Sequence, residues 1–144
     1  MISPEFSTGV TLLLYGLASV SGIAGMMARS PFWRRTCCYL ATAGFIFQTI
    51  GLAMGFHKSL PDGLSLGAYL QLMAWFVVLC GLAAWSKFKQ EASLIFASPL
   101  GLMLFAMSAP YLQAVVQVPP YLKAPFYALH IASLFLSLAL MALA

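Results

Sequence analysis

Apolar residues run through this chain in long stretches with neither a two-residue alternation nor a narrow amphipathic stripe, and each stretch stops at a basic or turn-forming cluster. A membrane-crossing helix needs about 20 mostly apolar residues, and five stretches qualify. The first covers 7–28 and stops at Arg29. The segment Ser30-Pro31-Phe32-Trp33-Arg34-Arg35 then reads as a short basic loop, with Pro31 breaking the helix and Trp33 at headgroup level. The second covers 36–56 and ends at His57-Lys58, before the turn Leu60-Pro61-Asp62-Gly63. The third covers 66–86, up to Lys87-Phe88-Lys89, and the fourth covers 91–109, where Pro99, two residues before Gly101, predicts a kink. The fifth covers 124–144. Between the last two lies Pro110–Lys123, too apolar for a free loop and expected along the membrane interface or over the helix ends. Barrel strands would alternate over about ten residues. These runs are twice as long and apolar all round, and in lipid a helix satisfies its own backbone. The expected fold is therefore an all-α, polytopic membrane bundle, one transmembrane domain over residues 1–144.

Composition agrees. Of 144 residues, 62% are hydrophobic and 7% charged, against about 25% charged in a soluble domain, so lipid must be the main solvent. Lys and Arg outnumber Asp and Glu by 7 to 3. These cations fall at helix ends, where they fix orientation in the bilayer rather than bind nucleic acid. Arg29, Arg34, Arg35, Lys87 and Lys89 follow helices one and three, whereas Lys58 and Lys123 follow helices two and four. The richer side is expected inside, which puts the N-terminus outside and, after five crossings, the C-terminus inside. The first run has no basic segment before it and carries Glu5, so it is expected to be a retained helix rather than a cleaved signal. The expected location is the inner (plasma) membrane, with multiple crossings.

Small residues mark the contact faces. Helix one has Ala18-x-x-x-Gly22 and Ser21-x-x-x-Gly25, and helix two carries Gly44, Gln48, Gly51 and Gly55 on one face. Such faces allow close backbone approach, within this chain or against another subunit. Gln48 and Gln71 are expected to hydrogen-bond between helices. Cys37, Cys38 and Cys80 show no metal-binding spacing and read as small apolar packing residues.

The chemistry rests on two histidines. His57 sits where helix two reaches the outer surface. His130 lies six or seven residues into helix five, roughly 9–10 Å deep from that same surface. Ionisable residues inside a membrane are rare and usually functional, and neutral imidazole is a common ligand of haem iron. His130 and His57 are therefore the candidate haem-iron ligands. Tyr127, His130, Ser133, Leu134 and Ser137 share one helical face. Tyr127 or Ser133 can orient the imidazole, although a serine in a helix also bonds back to its own backbone. Trp75 is too deep for an interface belt and either packs or lines an aromatic pocket, while Trp85 reads as an inner-interface anchor. Enzymatic constellations are absent. Glu5, Asp62 and Glu91 are far apart, with no carboxylate pair, no Ser–His–Asp set and no phosphate-cradling glycine loop.

These residues carry a resemblance. Leu64-Ser65-Leu66-Gly67-Ala68-Tyr69-Leu70 followed by Ala74-Trp75 resembles the start of helix three in the cytochrome c assembly protein family (the CcsA/HemX-like group). His57, the stretch Phe96-Ala97-Ser98-Pro99-Leu100, Leu129-His130-Ile131 and the basic Trp33-Arg34-Arg35 segment resemble that family's features in order and spacing. The match spans nearly the whole chain but only the family's N-terminal half. It implies haem transport across the membrane, or presentation at its outer face, for attachment to apocytochrome c. His130 would match an external haem-ligating histidine, with His57 as the second match, and the partners would be other membrane subunits of a cytochrome c assembly system. The tryptophan-rich haem-binding segment of the full-length synthases has no counterpart here, and a tyrosine often found eight residues past the histidine is Leu138. The expectation is a piece of a longer protein, or a short relative working with a partner, without catalytic activity of its own. Two alternatives stand beside this reading: a non-catalytic structural subunit of a larger membrane complex, and a haem-b or quinone-binding membrane anchor.

Overall fold

The computed structural model describes residues 4–59 and 66–111 and, beyond them, residues 130, 133, 134, 137 and 141. The described chain is all-α. Its helices are α1 (Pro4–Met27), α2 (Pro31–Ser59), α3 (Leu66–Phe88) and α4 (Glu91–Ser108), with a short 3₁₀ turn over Ala109–Tyr111. Each of the four is long and apolar enough to cross a membrane, as expected of a multi-pass membrane protein. Of the expected fifth helix, the described residues His130, Ser133, Leu134, Ser137 and Met141 are helical. The rest of 112–144, including the interfacial segment expected there, lies outside the described residues.

One boundary differs from the sequence reading. The stretch 31–35 is the opening of α2, not a loop, and only 28–30 joins α1 to α2. Pro31 starts a helix here because its missing N–H falls among amides that have no intrahelical partner anyway. The turn before it is closed by backbone bonds. Arg29 adopts φ 50°, Ser30 N–H donates to Gly25 O (3.2 Å) and Arg29 N–H to Met26 O (3.3 Å), the paired bonds of a Schellman cap. The α3–α4 corner uses the simpler form, with Lys89 at φ 56° and its N–H donating to Trp85 O at 2.9 Å. Both left-handed positions carry a basic side chain instead of glycine. At the far end α2 continues through His57 to Ser59. With 29 residues it is about 43 Å long, more than the roughly 30 Å of hydrocarbon, so its ends reach the headgroups.

The helices form an antiparallel four-helix bundle. α1 packs on α2 and α4, α3 packs on α4 and α2, α2 meets α4 across the diagonal, and α1 does not touch α3. Small residues set the close approaches. A Cβ on Gly25 would sit 2.9 Å from Arg34 N, one on Gly44 would sit 2.8 Å from the Tyr15 ring, and one on Gly81 would sit 2.8 Å from Ala97 Cβ. Of the glycines whose partners the sequence leaves open, Gly22, Gly25, Gly44 and Gly51 meet residues of this chain, and the surroundings of Gly55 lie outside what is described. α4 runs on through Pro99, whose missing amide removes the bond Ile95 O would otherwise receive. One core joins Ala18, Cys37, Cys38, Ala41, Leu94 and Ile95, and a second joins Val77, Cys80 and Ala97. Outward-facing Leu13, Leu17 and Val20 of α1 and Phe96, Met103 and Met107 of α4 make a surface suited to acyl chains and too apolar for water.

Candidate functional site

Polar side chains inside the bundle form a seam across three helices. Tyr15, fully buried, donates its hydroxyl to Gln48 Oε1 at 2.6 Å. Gln48 Nε2 in turn donates to Gln71 O at 2.9 Å, so one amide ties α1 to α2 and α2 to α3. Toward the start of α1, Ser7 Oγ donates to Phe47 O at 3.0 Å across the same interface. Thr11 and Ser19 bond back to Ser7 O and Tyr15 O in their own helix. In lipid an unpaired polar group has no water to turn to, and these bonds use each hydroxyl and the amide.

Trp75 is engaged rather than open. Its ring stacks on Phe45 with centroids 5.2 Å apart and planes at 27°, and Nε1–H donates to Thr49 Oγ1 at 2.9 Å. It joins α3 to α2 one turn beyond the Gln48 bond. Cys37, Cys38 and Cys80 are free thiols in the interior. Cys37 Sγ lies 3.8 Å from Ser98 Oγ, a weak contact between α2 and α4.

The histidine face is arranged differently. His57 falls in the last turn of α2, at the end of the bundle where α1 and α3 begin and α4 finishes. His130, Ser133, Leu134, Ser137 and Met141 lie on one helical stripe, and all five are exposed. Ser133 Oγ donates to His130 O at 2.7 Å. Its proton therefore stays on its own helix, and only its lone pairs remain to accept a bond from another group. Tyr127 lies outside the described residues. No group of three or more His, Cys, Asp or Glu side chains could hold a metal ion among the described residues. The His130 imidazole is exposed, and no hydrogen bond or ion pair to its ring occurs among the described residues.

The other end of the bundle is basic. Arg29, Arg34, Arg35, Lys87 and Lys89 gather there with one acid, Glu91. Arg35 Nε is 3.8 Å from Glu91 Oε1, and Arg34 Nε is 3.5 Å from Oε2, an ion pair without hydrogen-bond alignment. Trp85, expected as an interface anchor, is half-buried and set edge-on to Tyr39 with centroids 6.2 Å apart.

Comparison with protein-family models, with curated proteins and with solved structures found no match for this chain. The residues that sequence reasoning missed are Tyr15 and Ser7. Their signal was present in the spacing Ser7, Thr11, Tyr15 and Ser19, one residue per helical turn in an otherwise apolar run. It marks the α1 face that meets α2.

Proposed function

We propose that this chain is a five-span inner-membrane protein, N-terminus outside and C-terminus inside, that handles haem near the outer face in cytochrome c biogenesis, together with other membrane subunits. The observation that carries the reading is the contrast between His130 and the other polar groups of the spans. Tyr15, Gln48, Thr49 and Trp75 are all bonded within the bundle, whereas His130 is exposed on a stripe with two serines. An exposed histidine in an otherwise apolar segment calls for a ligand or a partner. Haem supplies both an iron for the imidazole and a large apolar ring for the neighbouring Leu134 and Met141. On this reading His130 is the principal ligand, and His57, in the last turn of α2, is the second. Trp75 supports the fold beneath the site, and Ser133 accepts a bond from a polar substituent. Haem is cargo, and the chain alone performs no covalent chemistry on it.

The test is the absorbance spectrum of the chain purified in detergent after growth with haem. A Soret band is expected in the wild type, lost in His130→Ala and weakened in His57→Ala, with cytochrome c maturation falling in parallel. The exposure of the stripe also favours a second reading, a structural subunit that packs this face against another membrane chain. A spectrum with no His130-dependent band, together with loss of a co-purifying subunit in His130→Ala, would select that reading.

A further inference from the structure

The basic end of the bundle carries charge that its own acid does not balance. Five cations and one carboxylate give 5 − 1 = +4 within the two short corners 28–35 and 87–91. Glu91 is paired with Arg34 and Arg35. Arg29, Lys87 and Lys89 are exposed and have no carboxylate within ion-pair distance among the described residues. They do not stand alone on a polar surface. Phe32, Trp33 and Phe88 are exposed beside them, and Lys87 Nζ lies over the Phe88 ring at 5.7 Å. Unneutralised ammonium and guanidinium groups in the same two corners as exposed aromatic side chains, at the end of membrane-length helices, match a headgroup with a net negative phosphate and the acyl chain beneath it.

We propose that this end is an anionic-lipid docking surface. Arg29, Lys87 and Lys89 hold lipid phosphates, and Phe32, Trp33 and Phe88 sit against the upper acyl chains. Glu91 offsets charge at the α2–α4 corner, where it lies within ion-pair distance of half-buried Arg34 and exposed Arg35. Charge complementarity selects the occupant. A zwitterionic headgroup brings its own cation and gains little here, whereas phosphatidylglycerol brings only the anion. The surface follows from the four spans and the two corners, and it stands or falls independently of the haem reading.

The test uses the full chain reconstituted into vesicles of phosphatidylcholine and phosphatidylglycerol, with one lipid at a time carrying brominated acyl chains to quench tryptophan. At low salt, phosphatidylglycerol is expected to be favoured over phosphatidylcholine near the tryptophans by about fivefold or more. The ratio should fall toward one as salt shortens the screening length to about 3 Å near 1 M. The triple variant Arg29→Gln, Lys87→Gln, Lys89→Gln should start near one. If that variant does not fold, the salt series on the wild type decides. A wild-type ratio of one at low salt, the result expected if an acidic protein partner covers this face instead, overturns the proposal. So does a preference that salt and the variant leave unchanged.

Discussion

Tyr15 Oη and Gln48 Oε1 lie 2.6 Å apart in the bundle interior, and the other end of the same amide holds the Gln71 carbonyl at 2.9 Å. α1 and α3 do not touch, so Gln48 is the polar link between them. Tyr15→Phe removes the donor and leaves a buried carbonyl oxygen with no water nearby. Hydrogen bonds between membrane helices contribute about 0.6 kcal/mol on average and up to about 1.7. This buried, short bond belongs at the upper end. Unfolding in mixed micelles should show Tyr15→Phe destabilised by about 1–2 kcal/mol. In the double variant with Gln48→Leu, the two losses should be less than additive. Full additivity would mean the two groups are not coupled.

Gly44 and Gly16 offer a matched pair of substitutions. A methyl at Gly44 would stand 2.8 Å from Cδ1 and Cε1 of the Tyr15 ring, whereas one at Gly16 would meet nothing within 4 Å. The ring is pinned at its hydroxyl and cannot swing aside. Gly44→Ala should therefore cost about 1–3 kcal/mol through overpacking. Gly16→Ala should be neutral or stabilise by up to about 1 kcal/mol through helix propensity. The same unfolding measurement separates them. Tyr15→Leu in the Gly44→Ala background should recover part of the loss, because it removes the atoms that clash.

The three cysteines give a probe of the packing. Cys37 and Cys38 have no exposed surface, and Cys80 is nearly as covered. Small residues on neighbouring helices close over them, and Gly22 approaches Cys37 so tightly that an added methyl would lie 3.1 Å from its sulfur. In the folded chain, membrane-permeant N-ethylmaleimide should modify none of the three within a time that fully labels them in SDS. Mass spectrometry counts the adducts. Fast labelling of Cys37 or Cys38 in mild detergent would show that the α1–α2–α4 core is open.

Much of the fold was legible because lipid imposes a simple pattern. Continuous apolar length specifies a helix, and the corners at Arg29 and Lys89 fall where the charges do. The misread boundary came from Pro31, which ends one helix and begins the next by the same chemistry, so its presence locates a corner without saying on which side of it the helix resumes. The seam was half legible. Gln48 stood out as an amide in an apolar run, but its partner Tyr15 did not, since tyrosine is equally at home in a core and at an interface. For Trp75 the sequence allows both packing and pocket lining, because it does not give the distances to Phe45 and Thr49 that decide it. His130 was visible as an outlier, but its exposure depends on where its helix sits against the others, which no local pattern encodes.

The basic end also bears on orientation. Both of its corners carry their cations on the same face of the bundle, Arg29, Arg34 and Arg35 at one and Lys87 and Lys89 at the other, with Glu91 offsetting a single charge. Across a potential of 100 mV, negative inside, each elementary charge is worth about 2.3 kcal/mol, and polar, hydrated cations resist translocation during insertion. Ser30 lies in the basic corner, and Ser59 ends α2 at the opposite end. In intact cells, Ser59→Cys should react with a membrane-impermeant maleimide from outside, while Ser30→Cys should react only after lysis. The native cysteines are buried and should add little background. Reaction of Ser30→Cys in intact cells would place the basic face outside. It would move His57 to the inner leaflet and remove the outer-face haem site along with the proposed topology.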